Sequence, residues 1–299
     1  MDTHARFSLV LSTVMVILQA RAVDMVVTRT LDIGYTLSEE SANWPTNRAI
    51  EITSTMKGLT PEGFWLETND ICMAEHSSTH LDAPSHFSEG AWSVDRIPLN
   101  HLMAPGVVMD IQEKVAKDSL AELTAEDVMT WLDKHGPLPD RAIVLVRTGW
   151  ASRYDNKTAY FGTDTKDTSK LVFPGISVGA ARIFSGYEEM YGRRVVGVGL
   201  DTPSQDNGAS THYPTHVELA AAGIYGLENL ADMSELPTTG FKLMVMPMNI
   251  KGGSGAPVRV IAIIPDPDGD ISSGPPTPPL GRLLYLIPCL TLLVTLLRP

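Results

Sequence analysis

The chain has 299 residues, is 43% hydrophobic and 19% charged, and carries a formal charge of −12. That length buries a core without disulfide staples, and an acid excess with no concentration of Lys and Arg excludes nucleic acid and anionic membrane surfaces as partners. The two cysteines, Cys72 and Cys289, build neither a disulfide framework nor a thiolate zinc site.

At the N-terminus, Arg6 precedes the apolar run FSLVLSTVMVIL, and Ala20-Arg21-Ala22 follows. A short positive region, an apolar core and an Ala-x-Ala step predict a secretory signal peptide over residues 1–22. Residues 23–33, 49–56, 106–111, 141–150, 193–201, 241–250 and 257–264 are rich in β-branched residues between Gly, Pro or polar turns, and are expected to be strands. Helices are expected from Thr124-Ala125-Glu126-Asp127, a capping-box-like start, to Gly136, and over residues 177–191 and 215–223. Strands and helices in alternation predict one α/β domain with a mixed sheet over residues 23–265. No glycine-rich phosphate loop follows a strand, which excludes the usual nucleotide-binding device. Cys72, beside Met73 in an apolar run, is expected to be a buried inert thiol.

Past the domain, residues 266–274 form a Pro/Gly/Ser-rich stalk and residues 275–299 a spacer and apolar tail. Small residues at Ser272, Ser273 and Gly274, a spacer and a terminal apolar stretch match a GPI attachment signal, with Ser272 as the attachment site. The expected location is therefore the extracellular face of the plasma membrane, or free secretion. Asn156-Lys157-Thr158 is an N-glycosylation sequon that a secreted chain would expose to the modifying machinery.

The segment that carries chemistry is His76-Ser-Ser-Thr-His80-Leu-Asp82-Ala-Pro84-Ser-His86. His and Asp supply the N and O donors that zinc and manganese accept. In an extended segment alternate side chains share a face, so His80 and Asp82 point the same way; His76 joins them if the chain turns near Ser77 and Ser78. A second cluster runs through Asp201, His212, His216 and Glu228. By spacing alone, Asp201 is either a site residue or a turn former, and Glu228 either a ligand or a surface acid. His101 and His135 stand singly beside loops and are expected to be structural or exposed. Phe64, Trp65, Trp92 and Tyr213 either line a flat pocket or belong to the core.

These segments resemble the cyclase family of metal-dependent hydrolases, which includes bacterial-type kynurenine formamidases and isatin hydrolases. The family's His-x-Gly-Thr-His-x-Asp-x-Pro-x-His run aligns with His76 to His86. LVRTGW at residues 145–150, PGIS at 174–177, GLDTPSQD at 199–206 and PTHVELAAAGIYGLENL at 214–230 follow in family order. The resemblance implies a swivelling β/β/α fold, one or two zinc or manganese ions held by His76, His80, Asp82, His216 and Glu228, and His86 as the catalytic histidine. It further implies a small amide-type substrate, such as an aryl formamide or a cyclic amide, and assembly as a homodimer or larger homo-oligomer. A competing reading, a non-catalytic surface binding protein on this scaffold, predicts loss of one of these six side chains, and none is lost. One departure is Ser78, where the family has Gly; if that position needs a positive φ, Ser strains the turn.

Overall fold

The structure is a computed structural model whose described residues are 28–265. The signal peptide over 1–22, the stalk over 266–274, the anchor signal over 275–299 and Ser272 lie outside them. Among the described residues no helix is long and apolar enough to cross a membrane.

One mixed sheet organises the chain. Its strands are β1 (Thr28–Asp32), β4 (His80–Asp82), β5 (Met103–Asp110), β7 (Ala142–Arg147), β9 (Val195–Leu200), β10 (Tyr225–Glu228), β11 (Phe241–Pro247) and β12 (Gly255–Pro265). They lie in the order β1-β12-β11-β5-β7-β9-β10-β4, and β4 also pairs with β12. Seven strands thus close into a barrel, with β1 added at its side. The β5–β7–β9–β10 stretch is parallel, and the pairings of β4, β11 and β12 are antiparallel. Parallel neighbours need long crossovers, and the helices supply them.

The strands alternate as a barrel requires. Along β7, Ile143 and Leu145 join Leu81, Val108, Leu227, Leu243, Ala256 and Val260 inside the barrel. Ala142, Val144 and Val146 point outward and pack with Val128, Trp131, Ala180, Ala181 and Phe184. Those partners come from helices α1 (Ala125–His135) and α2 (Val178–Ser185). Helix α1 has the expected capping box between Thr124 and Asp127 and ends at Gly136, with φ 81°. The expected helix over 177–191 divides at Gly186, and residues 187–191 form a separate short helix. A third helix, α3 (Pro214–Ala221), covers the strand ends that carry the site.

Two expectations are corrected by a hairpin. Strands β2 (Glu51–Leu59) and β3 (Trp65–Cys72) pair only with each other, as do the two-residue strands β6 (Glu122–Leu123) and β8 (Gly175–Ile176), and β3 is exposed along its whole length. Cys72 is therefore an exposed thiol, because its strand has no layer packed over it. Phe64 and Trp65 are likewise exposed, at 56% and 59%.

Candidate metal centre

The centre is built on β4. Its middle residue, Leu81, points into the barrel, which turns His80 and Asp82 to the outer face together. Strand β10 runs beside it in a register that sets Glu228 opposite His80 and Gly226 opposite Asp82. On the other side β12 sets Gly255 opposite Asp82. A Cβ at Gly255 would meet His76 Cε1 at 2.5 Å and the Leu81 carbonyl at 2.8 Å, so only glycine lets the His76 ring lie against this strand. His76 comes back toward β4 because the chain reverses at Ser78, whose φ is 55°. The family's glycine position thus requires the left-handed region, and Ser78 occupies it at a steric cost. His216 enters from the first turn of α3, which begins with Pro214 after Tyr213 at φ 49°.

Five side chains meet. His76 Nδ1 lies 2.6 Å and His80 Nε2 3.2 Å from Asp82 Oδ1, while His216 Nε2 lies 3.4 Å from Asp82 Oδ2. Glu228 Oε2 lies 3.2 Å from His80 Nε2, and Glu228 Oε1 lies 3.0 Å from His216 Nε2. They divide into two groups fit to hold an ion, His76/His80/Asp82 and Asp82/His216/Glu228, with Asp82 in both. His86 is not in either group. Its ring stacks on His76 with centroids 4.0 Å apart.

Outer partners fix which nitrogen of each ring faces the centre, as they do around metal-ligating histidines generally. His80 Nδ1 donates to the Ser78 carbonyl at 2.9 Å. His216 Nδ1 donates to Asp206 Oδ2 at 2.6 Å. Both therefore turn an Nε2 lone pair inward. His76 is reversed: the Ser254 hydroxyl donates to Glu75 at 2.8 Å and lies 3.1 Å from His76 Nε2, which leaves Nδ1 for the centre. Without an ion these groups share protons. Burial alone would lower the pKa of His80, but its contacts with Asp82 and Glu228 raise it to about 10. Burial opposes ionisation of Asp82, yet the three histidines hold its carboxyl well below the usual range. Converging lone pairs, two buried carboxylates and no thiolate are what a catalytic divalent-ion site needs.

The centre forms the floor of a cleft of about 310 Å³, walled by Trp44, Phe87, Phe161 and Tyr213. Of the aromatics singled out in the sequence, Tyr213 alone lines it. Phe64 and Trp65 ride on the exposed hairpin, and Trp92 packs against His101 instead. Asp201 is the turn former: it accepts Thr148 N–H at 2.9 Å and the Thr148 hydroxyl at 2.7 Å, tying the end of β9 to the loop after β7. His101 is buried, while His135 and His212 are exposed. Asp206, Asn229, Glu75 and Ser254 escape a reading of spacing, because their roles depend on strand register. Asp206 and Asn229 do lie inside the quoted motifs, next to site residues in sequence or in hydrogen bonding.

An open aromatic cleft over a pre-oriented set of imidazoles and carboxylates defines a metal-dependent hydrolase. The family model described as "Putative cyclase" matches residues 31–207, more than half of the chain. The chain belongs to the cyclase family. Isatin hydrolase of Roseibium aggregatum is 29% identical over 213 residues, 68% of this chain and 77% of that protein. Kynurenine formamidase of Salinibacter ruber is 26% identical over 238 residues, covering 79% and 99%. A solved isatin hydrolase A from Labrenzia aggregata, bound to benzyl benzoate, superposes with TM-score 0.71 at 30% identity over 84% of this chain and all of that one. His216 and Glu228 lie beyond the family-model match; the β4–β10 register joins Glu228 to the matched histidines, and α3 brings in His216.

Proposed function

We propose that this protein hydrolyses the C–N bond of a small aromatic amide, either an aryl formamide such as N-formylkynurenine or a cyclic amide such as isatin. The observation that carries this reading is the pair of donor groups sharing Asp82, one oxygen toward His76 and His80 and the other toward His216. Zinc and manganese both suit the donors. A bound ion supplies water of lowered pKa and positive charge at the carbonyl oxygen. The chain supplies the rest. Trp44, Phe87, Phe161 and Tyr213 hold a flat ring over the centre and exclude water from it. His86 has its pKa lowered, by burial first, so it is neutral at pH 7 and accepts a proton from the attacking water. It then returns that proton to the leaving nitrogen.

Signals at residues 1–22 and 272–299 support a secreted or lipid-anchored location. Asn156 is exposed at the cap of a short helix, its Oδ1 taken by Ala159 N–H, so its amide nitrogen is available for a glycan. The exposed apolar hairpin supports a homodimer, since a lone two-stranded hairpin is marginal in water.

The test is elemental analysis and hydrolysis of formanilide, N-formylkynurenine and isatin, beside His80→Ala and His86→Ala. The protein should carry zinc or manganese and lose it in His80→Ala. His86→Ala should keep the metal and slow turnover by about 10²–10⁴-fold. Protein that stays empty when offered both ions sinks the reading.

A further inference from the structure

Asn229 follows Glu228 directly and is buried, with its backbone in the left-handed region at φ 52°. Its backbone is held on both sides: its N–H donates to the Thr202 carbonyl at 2.9 Å, and its carbonyl accepts the Thr79 hydroxyl at 2.6 Å. A non-glycine residue persists in such a conformation only when its surroundings over-determine it, and such positions gather at working sites. Three of the four non-glycine residues with positive φ among the described residues, Ser78, Tyr213 and Asn229, border this centre.

The side chain lies against the centre, with Nδ2 3.4 Å from His80 Nδ1. Asn229 Nδ2 donates to the Ser78 carbonyl at 2.9 Å, the same oxygen that accepts His80 Nδ1 at 2.9 Å. Both lone pairs of that carbonyl are thereby engaged. The orientation of the amide is fixed from its other end, where the Tyr160 hydroxyl donates to Asn229 Oδ1 at 3.0 Å. Tyr160 is fully buried and keeps its proton, because burial pushes its phenol well above the usual range. A chain of two donors therefore runs from Tyr160 through Asn229 to the carbonyl that orients His80. The remaining groups on that carbonyl's residue do not replace it: Ser78 N–H goes to the Ala42 carbonyl, and its hydroxyl meets Tyr154 at 3.3 Å.

We propose that Asn229 is a positioning residue for the metal centre, pinning the Ser78 carbonyl so that His80 keeps its proton on Nδ1 and presents Nε2 to Asp82 and Glu228. The inference rests on the metal-centre reading for its consequence, but the hold on the His80 ring is present without an ion. Asn229→Gly removes the amide and adds no backbone strain, since glycine accepts this φ. Loss of a partner that orients a ligating histidine weakens metal binding by about 10–100-fold.

The experiment measures two quantities in the wild type, Asn229→Gly and Tyr160→Phe: zinc affinity by competition with a chromophoric chelator, and the His80 tautomer by long-range ¹H–¹⁵N NMR of the zinc-free protein above pH 10, where the His80 ring is neutral. In Asn229→Gly, zinc affinity should fall by about 10–100-fold, and the His80 ring should populate the Nε2–H form. Tyr160→Phe should shift both in the same direction and less far. A residue with only a packing role would lower the melting temperature and leave the tautomer in place. Asn229→Gly with unchanged affinity and His80 still protonated on Nδ1 overturns the proposal; if that variant does not fold, the same null result in Tyr160→Phe overturns it. Wild-type protein that binds no zinc instead refutes the metal-centre reading, and the tautomer measurement still decides the role of Asn229.

Discussion

Replacing Asp206 by Asn changes one atom in the shell around His216 and should disable that ligand. Asp206 is buried, and four donors converge on it. Oδ2 receives His216 Nδ1 at 2.6 Å and His216 N–H at 3.1 Å, and Oδ1 receives Thr215 N–H at 3.1 Å and the Ser210 hydroxyl at 3.4 Å. An amide keeps the volume but offers a single acceptor, so one of these pairs must face an NH₂ group. If the Thr215 and Ser210 pair keeps the oxygen, the NH₂ group faces His216, which moves its proton to Nε2 and turns a donor toward Glu228 and Asp82. The expected loss of zinc or manganese affinity is about 10–100-fold, equivalent to about 1.4–2.8 kcal/mol. A mismatched buried donor should also cost the chelator-treated protein about 1–3 kcal/mol of folding stability. Chelator competition and urea unfolding read these two quantities separately. Affinity within twofold of wild type, with His216 still protonated on Nδ1, would refute the reasoning that this carboxylate sets the ligand.

Further outcomes follow from the same geometry. Ser78→Gly relieves a left-handed residue of about 1–2 kcal/mol against a glycine entropy cost of about 0.5–1 kcal/mol, so urea unfolding should show a gain between about 0 and 1.5 kcal/mol; a clear loss contradicts the strain at this turn. In chelator-treated protein, His80 has its pKa raised from 6.5 to about 10. The stability this supplies is full below pH 6.5 and disappears as pH rises toward 10, so the melting temperature should fall across that window, and a flat profile would exclude a shared proton at His80. If the hairpin holds the proposed homodimer together, Leu59→Ser with Trp65→Ser, at side chains 70% and 59% exposed, should give a monomer in light scattering while the metal content stays unchanged. A variant with the wild-type mass would refute that role of the hairpin.

The parts of this fold that were legible in the sequence are those whose pattern is local. All seven expected strands are present among the described residues, and the Thr124 capping box and Gly136 stop fall where the side chains dictate. Local alternation also put His80 and Asp82 on one face. What escaped depends on distant partners. Strand β4 has three residues and no strand pattern of its own; it is extended because β10 and β12 flank it. Cys72, Phe64 and Trp65 read as interior from composition, yet the strand they belong to has no covering layer. Asp206 and Asn229 are ordinary loop residues until the chain closes, and only then does each meet a histidine.

The closing strand of the barrel is also the strand that carries two of the clustered ligands. Strand β4 joins β10 and β12, both far along the chain, so its pairing belongs to the slow, long-range part of folding. His80 and Asp82 reach Glu228 only through that pairing. An ion held by this cluster would therefore be taken up late, by a chain whose barrel has closed. Amide exchange at Leu81 and Leu227, followed beside metal loss, would test whether opening of the barrel and release of the ion are a single transition.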